Sequence, residues 1–312
     1  MDSGEENPFL DDVLEGLAKP QKAIPSRWLY DAKGSSLFDD ITNLPEYYPT
    51  RTELKILRTQ AGAMAKAIGP GAVIVEYGAG SLVKVRILLD ALDAPAAFVP
   101  VDISASHLQS AASELKEDYS DLVVEPVVSD FMASNLGHAL PDLSGRKCGF
   151  FPGSTVGNLQ DADIQTFLKT ARTDLGDRAC FIIGLDQPKS PDILVPAYDD
   201  AQGVTAAFNL NLLTRINREL DGDFDLDAFE HEARWNSVQS RIEMHLKSLK
   251  DQRVIVAGKP FDFTEGETIH TENSRKISLD SFATMAEDAG WSLTRSWTDE
   301  QELFAVMMLE AA

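Results

Sequence analysis

The spacing of hydrophobic positions along this chain changes period, and the changes mark its elements. Ala72-Val73-Ile74-Val75 is an unbroken apolar run that ends, after Glu76-Tyr77, at Gly78 and Gly80. Such a run reads as a strand buried on both faces that enters a tight turn. Residues 81–92 have helical spacing, and a second run, Ala97-Phe98-Val99-Pro100-Val101, stops on Asp102. Together they predict a βαβ unit. The same rhythm predicts a helix over 104–117, a third strand over 122–128 followed by Ser129-Asp130-Phe131, a fourth over 147–151, a helix over 161–175 and a fifth strand over 179–185 ending at Asp186.

Outside this stretch the rhythm differs. A surface helix is expected around 9–17, then a dense set of aromatics broken by Pro and Gly, from Trp28 and Tyr30 through Phe38 to Tyr47 and Tyr48. Two readings fit that segment: a helical layer packed on the core, or a lid with aromatic walls. Helices are expected around 197–200 and over 205–220. Alternation then predicts antiparallel strands over 241–249, 253–257 and 261–263. A helix over 280–289 and strands over 292–297 and 303–309 resume the sheet. Residues 187–275 therefore read as an insertion, expected to lie over the crevice with the N-terminal segment and to select the substrate.

Composition narrows the chemistry. A net charge of −22 across 312 residues repels phosphate backbones and anionic bilayers, so neither nucleic acid nor membrane is an expected partner. The acidic start, Met1-Asp2-Ser3-Gly4-Glu5-Glu6, has no leader pattern, and the expected location is the cytoplasm. Cys148 and Cys180 fall in expected buried strands and read as core residues rather than a redox pair. The histidines His107, His138, His231, His245 and His270 lack zinc-ligand spacing, so no metal is expected.

Open α/β sheets bind ligands beyond the carboxyl ends of their strands, where Gly78 lets the backbone approach and Asp102 can accept from ribose hydroxyls. The third glycine of the dinucleotide fingerprint is Val83, which argues against a nicotinamide enzyme. Asp130-Phe131 at a strand tip suits an adenine, although an Asp there is also a common helix cap. Pro152-Gly153-Ser154-Thr155-Val156-Gly157-Asn158 leaves a central strand toward the same crevice and reads as substrate-facing.

From Ser26 onward the chain resembles the histidine-specific N-alpha-methyltransferases of ergothioneine biosynthesis. The matching motifs are Leu44-Pro45-Glu46-Tyr47-Tyr48-Pro49-Thr50-Arg51, Gly153 to Asn158, Ala197-Tyr198-Asp199-Asp200, Gly203 to Asn209, Arg241-Ile242-Glu243-Met244 and Thr271-Glu272-Asn273-Ser274. The resemblance implies an α/β fold: a Rossmann-like methyltransferase sheet (55–189 plus 276–312) with a smaller α+β substrate-binding domain (1–54 plus 190–275). It implies a monomer that uses S-adenosylmethionine as co-substrate, with no metal, and methylates the α-amino group of L-histidine up to the trimethylated betaine hercynine.

Residue by residue, the resemblance places the cofactor on Tyr30, Gly78, Lys84, Asp102, Asp130 and Phe131. It places the substrate carboxylate on Asn158 and Tyr198, the amino group by Tyr47 and Gly153 with Phe38 lining its pocket, and the imidazole on Met244, Glu272 and Ser274. Tyr47 and Asn158 are the expected catalytic pair, near which the amine proton leaves. Glu272 and Ser274, two apart in an extended segment, point to one face and suit the two imidazole nitrogens. The first-turn sequence Gly78-Ala79-Gly80-Ser81-Leu82-Val83-Lys84-Val85 replaces the family's Gly-Ser-Gly-Thr-Ser-Glu-Lys-Thr and removes hydroxyls and an acid. Pro152 replaces a Leu. Two other readings are an acceptor that is another amino acid or an indole-derived amine, and a cofactor-binding protein without turnover.

Overall fold

The computed structural model describes residues 7–80, 82–103, 105–132, 140–141 and 143–312. The chain forms two compact units, Met1–Tyr48 with Lys189–Arg275, and Pro49–Pro188 with Lys276–Ala312. The first is called the insertion unit below, and the second the sheet unit.

The insertion unit starts with a helix, Pro8–Leu17, capped by the Asn7 side chain. Strand β1 (Lys22–Ala23) pairs in parallel with β12 (Thr268–Arg275) at one edge of a four-stranded sheet of order β1-β12-β9-β8. Here β8 is Phe229–Asn236 and β9 is Arg241–Ser248, and the β8-β9 and β9-β12 pairs are antiparallel. A separate hairpin joins β10 (Gln252–Val256) to β11 (Lys259–Phe263). Three of these strands, β1, β8 and β12, lie where periodicity predicts none. Phe229–Asn236 alternates, but His231 and Ala233 weaken its apolar face, and an extra residue at Thr271 breaks the alternation of Thr268–Arg275.

Asp31 ties this unit together. Its Oδ1 accepts from the Gly34 amide, capping the helix Ala32–Thr42, and from Asn211 Nδ2, both at 2.8 Å. Its Oδ2 accepts from Arg218 at 2.7 Å. Against the opposing effect of burial, these donors hold its carboxyl below the usual range. One side chain thereby fixes the helix Ala32–Thr42 to the helix Val204–Glu219. The aromatic N-terminal segment is a short 3₁₀ turn, Ser26–Leu29, followed by that capped helix.

The sheet unit holds β2 (Val73–Tyr77), β3 (Ala97–Asp102), β4 (Val123–Val124), β5 (Val127–Val128), β6 (Lys147–Phe151), β7 (Cys180–Asp186), β13 (Trp291–Thr298) and β14 (Phe304–Ala311). Its order is β13-β14-β7-β6-β2-β3-β4, with β5 also on β3. All pairs are parallel except those of β14, which runs antiparallel to β7 and β13. The expected Rossmann-like sheet is present, and its reversal of strand order falls between β2 and β6. The third strand expected over 122–128 is two short pieces. Pro126 lies between them, and a proline has no amide to give the ladder. Ser81 and Ser104, expected to open helices, and His138 lie outside the described residues; the described helices are Val83–Ala91 and Ala105–Asp118.

Helices cover both faces of this sheet, as the two apolar clusters around Phe167 and Leu88 show. Trp291, fully buried, donates its indole N–H to the Leu168 carbonyl at 2.9 Å. At the carboxyl end of β7, Asp186 pairs with Lys276 at 2.6 Å, both out of contact with water. No helix among the described residues is long and apolar enough to cross a membrane.

The outer face of β9 and β12 carries a stacked pair, His245 and His270, with ring centroids 4.9 Å apart. Burial, aided by His270 and Arg234 and opposed by Glu243, pushes His245 down to about 4. Glu243 is held near 2 against burial by Asn236, Arg241 and His245. A histidine whose folded pKa is depressed binds more protons when unfolded, so its stabilising effect is full above about 6.5 and is lost as pH falls toward about 4. The melting temperature is therefore expected to fall between pH 6.5 and 4. His245→Phe, lower at pH 7 because it loses two hydrogen bonds, should show a shallower slope in the same scan.

Candidate active site

In the insertion unit, side chains from four segments meet. Tyr30 lies edge-on to Phe38 and Phe208 at 5.6 and 5.4 Å, Phe38 to Tyr47 at 6.2 Å, and Tyr47 to Tyr198 at 5.9 Å. Into this set of rings the sheet presents Glu272 and Ser274. The Tyr30 hydroxyl donates to Glu272 Oε1 at 3.2 Å, and the Tyr198 and Ser274 hydroxyls share a hydrogen bond of 2.7 Å. Met244 stands directly across from Glu272 on β9. Glu272 is 8% exposed, Ser274 6% and Met244 2%.

Tyr30 is thus a hydrogen-bond partner of Glu272. Its phenol is pushed well above its ordinary range by burial first and by the Glu272 carboxylate second. It stays protonated at neutral pH and acts as a donor. A carboxylate, two hydroxyls, a thioether and aromatic faces form a surface able to accept from and donate to a small polar heteroaromatic while stabilising a nearby cation.

In the sheet unit, the remaining expected residues gather at the carboxyl ends of the strands. Gly78, with φ of +72°, follows β2, Asp102 closes β3, and Asp130 and Phe131 follow β5. Asp130 Oδ1 accepts from the Met132 amide at 2.8 Å. Phe131 packs on Phe151 and Phe167 at 5.3 and 5.7 Å. After β6, Gly153 (φ +81°) and Ser154 (φ +57°) turn the chain into a 3₁₀ segment, Thr155–Asn158, which places Asn158 at its end. Ser154 Oγ accepts from the Asp186 amide at 3.0 Å and so fastens this loop to β7.

Lys84 and Gly153 are joined by Glu53, which the sequence reading did not single out. Its carboxylate, 1% exposed, accepts from Lys84 Nζ at 2.7 Å and from the Gly153 amide at 2.9 Å. The carboxylate fits only because residue 184 is glycine, since a Cβ there would lie 2.1 Å from Glu53 Oε1. An acid inside an amphipathic helix otherwise looks like a solvated one. The available signal was its place: Glu53 follows the Tyr47–Arg51 motif on the helix Tyr48–Ile68, the stretch richest in family matches. Phe208, within the Gly203–Asn209 motif, was likewise not named.

The strand-end residues suit a nucleoside carrying an amino-acid tail. Lys84 offers a cation for a carboxylate, Asp102 an acceptor for hydroxyls, and Gly78 an approach free of a side chain. Glu76, buried one residue before the end of β2, has an Oε2 without a hydrogen-bond partner among the described residues. Burial pushes its carboxyl well above the usual range, against the opposing charge of Lys84. No group of three or more His, Cys, Asp or Glu side chains among the described residues is placed to share a metal ion.

A sheet with its strand-order reversal at β2, an antiparallel β14, a glycine turn after the first strand and an acid closing the second defines the class of S-adenosylmethionine-dependent methyltransferases. Within that class the chain belongs to the histidine-specific, S-adenosylmethionine-dependent methyltransferase family, whose model matches residues 9–311. It is 45% identical over 293 residues to the histidine N-alpha-methyltransferase of Mycolicibacterium smegmatis, covering 92% of this chain and 90% of that one. It is 41% identical over 304 residues to the Mycobacterium tuberculosis protein of the same name, covering 95% and 93%. A 4-dimethylallyltryptophan N-methyltransferase of Aspergillus fumigatus is 28% identical over 291 residues, covering 88% and 83%.

Removing Glu53 strands Lys84 in a largely closed site and frees the Gly153 amide. Breaking a buried pair from one side costs about 3–5 kcal/mol. Glu53→Ala is expected to lose stability on that scale in urea titration, and a loss under about 1 kcal/mol would show that the pair is solvated.

Proposed function

We propose that this enzyme transfers methyl groups from S-adenosylmethionine to the α-amino group of L-histidine, up to the trimethylated betaine hercynine, the step in ergothioneine biosynthesis that the family resemblance implies. The observation that carries the reading is the buried Glu272 carboxylate among aromatic rings, beside the Ser274–Tyr198 hydroxyl pair. An imidazole has one N–H to give and one nitrogen to accept. Glu272 takes the first and the hydroxyl pair serves the second.

An apolar side chain in that place would leave Glu272 short of a partner, at a cost of about 1–3 kcal/mol. An indole, the acceptor type of the Aspergillus relative, has an N–H but no acceptor nitrogen, so it would leave the Ser274 side unserved. Both of the more similar relatives carry the name of histidine methyltransferases, which supports the same acceptor.

Bound S-adenosylmethionine supplies an electrophilic methyl group on a sulfonium centre. Tyr30, Lys84, Asp102, Gly78, Asp130 and Phe131 are assigned to hold it, with the charge of Lys84 kept in place by Glu53. What the chain must then do is position an amine with a free lone pair. Phe38 and Tyr47 face the amino group, and their ring faces stabilise the growing methylammonium by roughly 0.5–2 kcal/mol each. Tyr30 does not remove the amine proton, because its phenol holds its own. Tyr47 and Asn158, with solvent, are assigned that exit; the resemblance further assigns Gly153 to the amino group and Asn158 and Tyr198 to the carboxylate.

Mass spectrometry of L-histidine incubated with the protein and S-adenosylmethionine, with tryptophan and tyrosine in parallel, tests the reading. Histidine carrying one to three added methyl groups is the expected product. Methylation of tryptophan or tyrosine but not histidine would move the acceptor to another amine, and bound cofactor without any product would make the protein a binding module.

A further inference from the structure

An uninterrupted strand puts every second residue on the same face. Across Thr268–Arg275 that rule would set Glu272 and Ser274 on the side of Thr268 and His270, away from Ile269. The register on β9 shows otherwise. Ile269 stands opposite Leu246 and His270 opposite His245, but the next pairs are Glu272 with Met244, Asn273 with Glu243 and Ser274 with Ile242. Thr271 is left over. This is a β-bulge, in which one extra residue bends the strand and re-aims the side chains beyond it. Past it, Glu272 and Ser274 share a face with Ile269 and with the buried Ile242, Met244 and Leu246. His270 and Asn273 share the opposite face with His245 and Glu243.

The bulge is held by its own side chains. Thr271, 2% exposed, donates its hydroxyl to the Met244 carbonyl at 3.1 Å. His270 Nε2 donates to the Glu272 carbonyl, also at 3.1 Å, and its ring is stacked on His245. On β9, Asn209 Nδ2 grips the His245 carbonyl at 3.1 Å from the helix side. The backbone of Glu272 is thus fixed from one face, while its carboxylate meets Tyr30 on the other.

We infer that Thr271 and His270 are positioning residues for substrate selection: they hold the bulge that turns Glu272 and Ser274 toward the acceptor's side chain. The inference rests on the reading that Glu272 and Ser274 receive an imidazole, and it adds the device that puts them there. The same eight residues paired without the bulge would set Thr271 opposite Met244, Glu272 opposite Glu243 and Ser274 opposite Arg241, on the face of His245.

Two variants of the full-length enzyme test it. Thr271→Val keeps the shape and removes the hydroxyl, and Thr271→Ser keeps the hydroxyl. KM and kcat for histidine are measured together with the calorimetric affinity for S-adenosylhomocysteine and the melting temperature, with Glu272→Ala alongside. Thr271→Val is expected to raise the histidine KM roughly tenfold, the size of one lost hydrogen bond, with kcat and cofactor affinity close to wild type. Thr271→Ser should restore the KM. An unchanged KM in Thr271→Val, or a parallel loss of KM, cofactor affinity and melting temperature, would overturn the positioning role. Undiminished histidine use by Glu272→Ala would overturn the underlying reading instead.

Discussion

A carboxylate withdrawn from water has to be met by donors, and both units are arranged around meeting one. In the sheet unit Glu53 is met by Lys84 and by the Gly153 amide, which ties a helix, the first βα turn and the glycine-rich loop to one point. The space it needs exists because β7 carries no side chain at residue 184. In the insertion unit Glu272 is met by Tyr30, and Asp31, one residue further along, caps the helix that bears Phe38 and anchors the helix that bears Phe208. The rings around Glu272 are therefore placed by a second carboxylate. Charges buried for these reasons constrain which side chains can approach them, and that constraint is what a binding site for a small zwitterion requires.

The sheet was legible because its strands are buried on both faces. Val73–Tyr77 is apolar but for Glu76 and Cys180–Asp186 is free of charge up to its last residue, and each stops at a residue that leaves the sheet: Gly78 after the first, Asp186 at the tip of the second. Where a proline entered, at Pro126, the expected single strand became two short ones. The insertion unit was harder to read. Phe229–Asn236 alternates, but His231 and Ala233 leave its inward face only weakly apolar, so the period of two is faint. Thr268–Arg275 changes parity at Thr271, which no alternation rule anticipates.

The candidate site was legible in a different way. No periodicity places Phe38, Tyr47, Tyr198, Met244, Glu272 and Ser274 together; motif resemblance proposed the set, and the fold gathers these six, separated by more than 230 residues of chain, in one unit. Glu53 escaped notice because an acid on an amphipathic helix is ordinary until the glycine across from it is known. Tyr30 meets Glu272, a contact between residues 242 apart in sequence that no local pattern encodes.

The central claim is that Glu272 recognises the acceptor's imidazole and has no part in holding the cofactor. Calorimetric titration of histidine, and separately of S-adenosylhomocysteine, into wild type and Glu272→Ala tests it most directly. The account predicts that histidine affinity falls by roughly tenfold or more, the scale of a lost hydrogen bond to a charged group, while affinity for S-adenosylhomocysteine stays within about twofold. An equal loss of both affinities would contradict it and make Glu272 a structural residue.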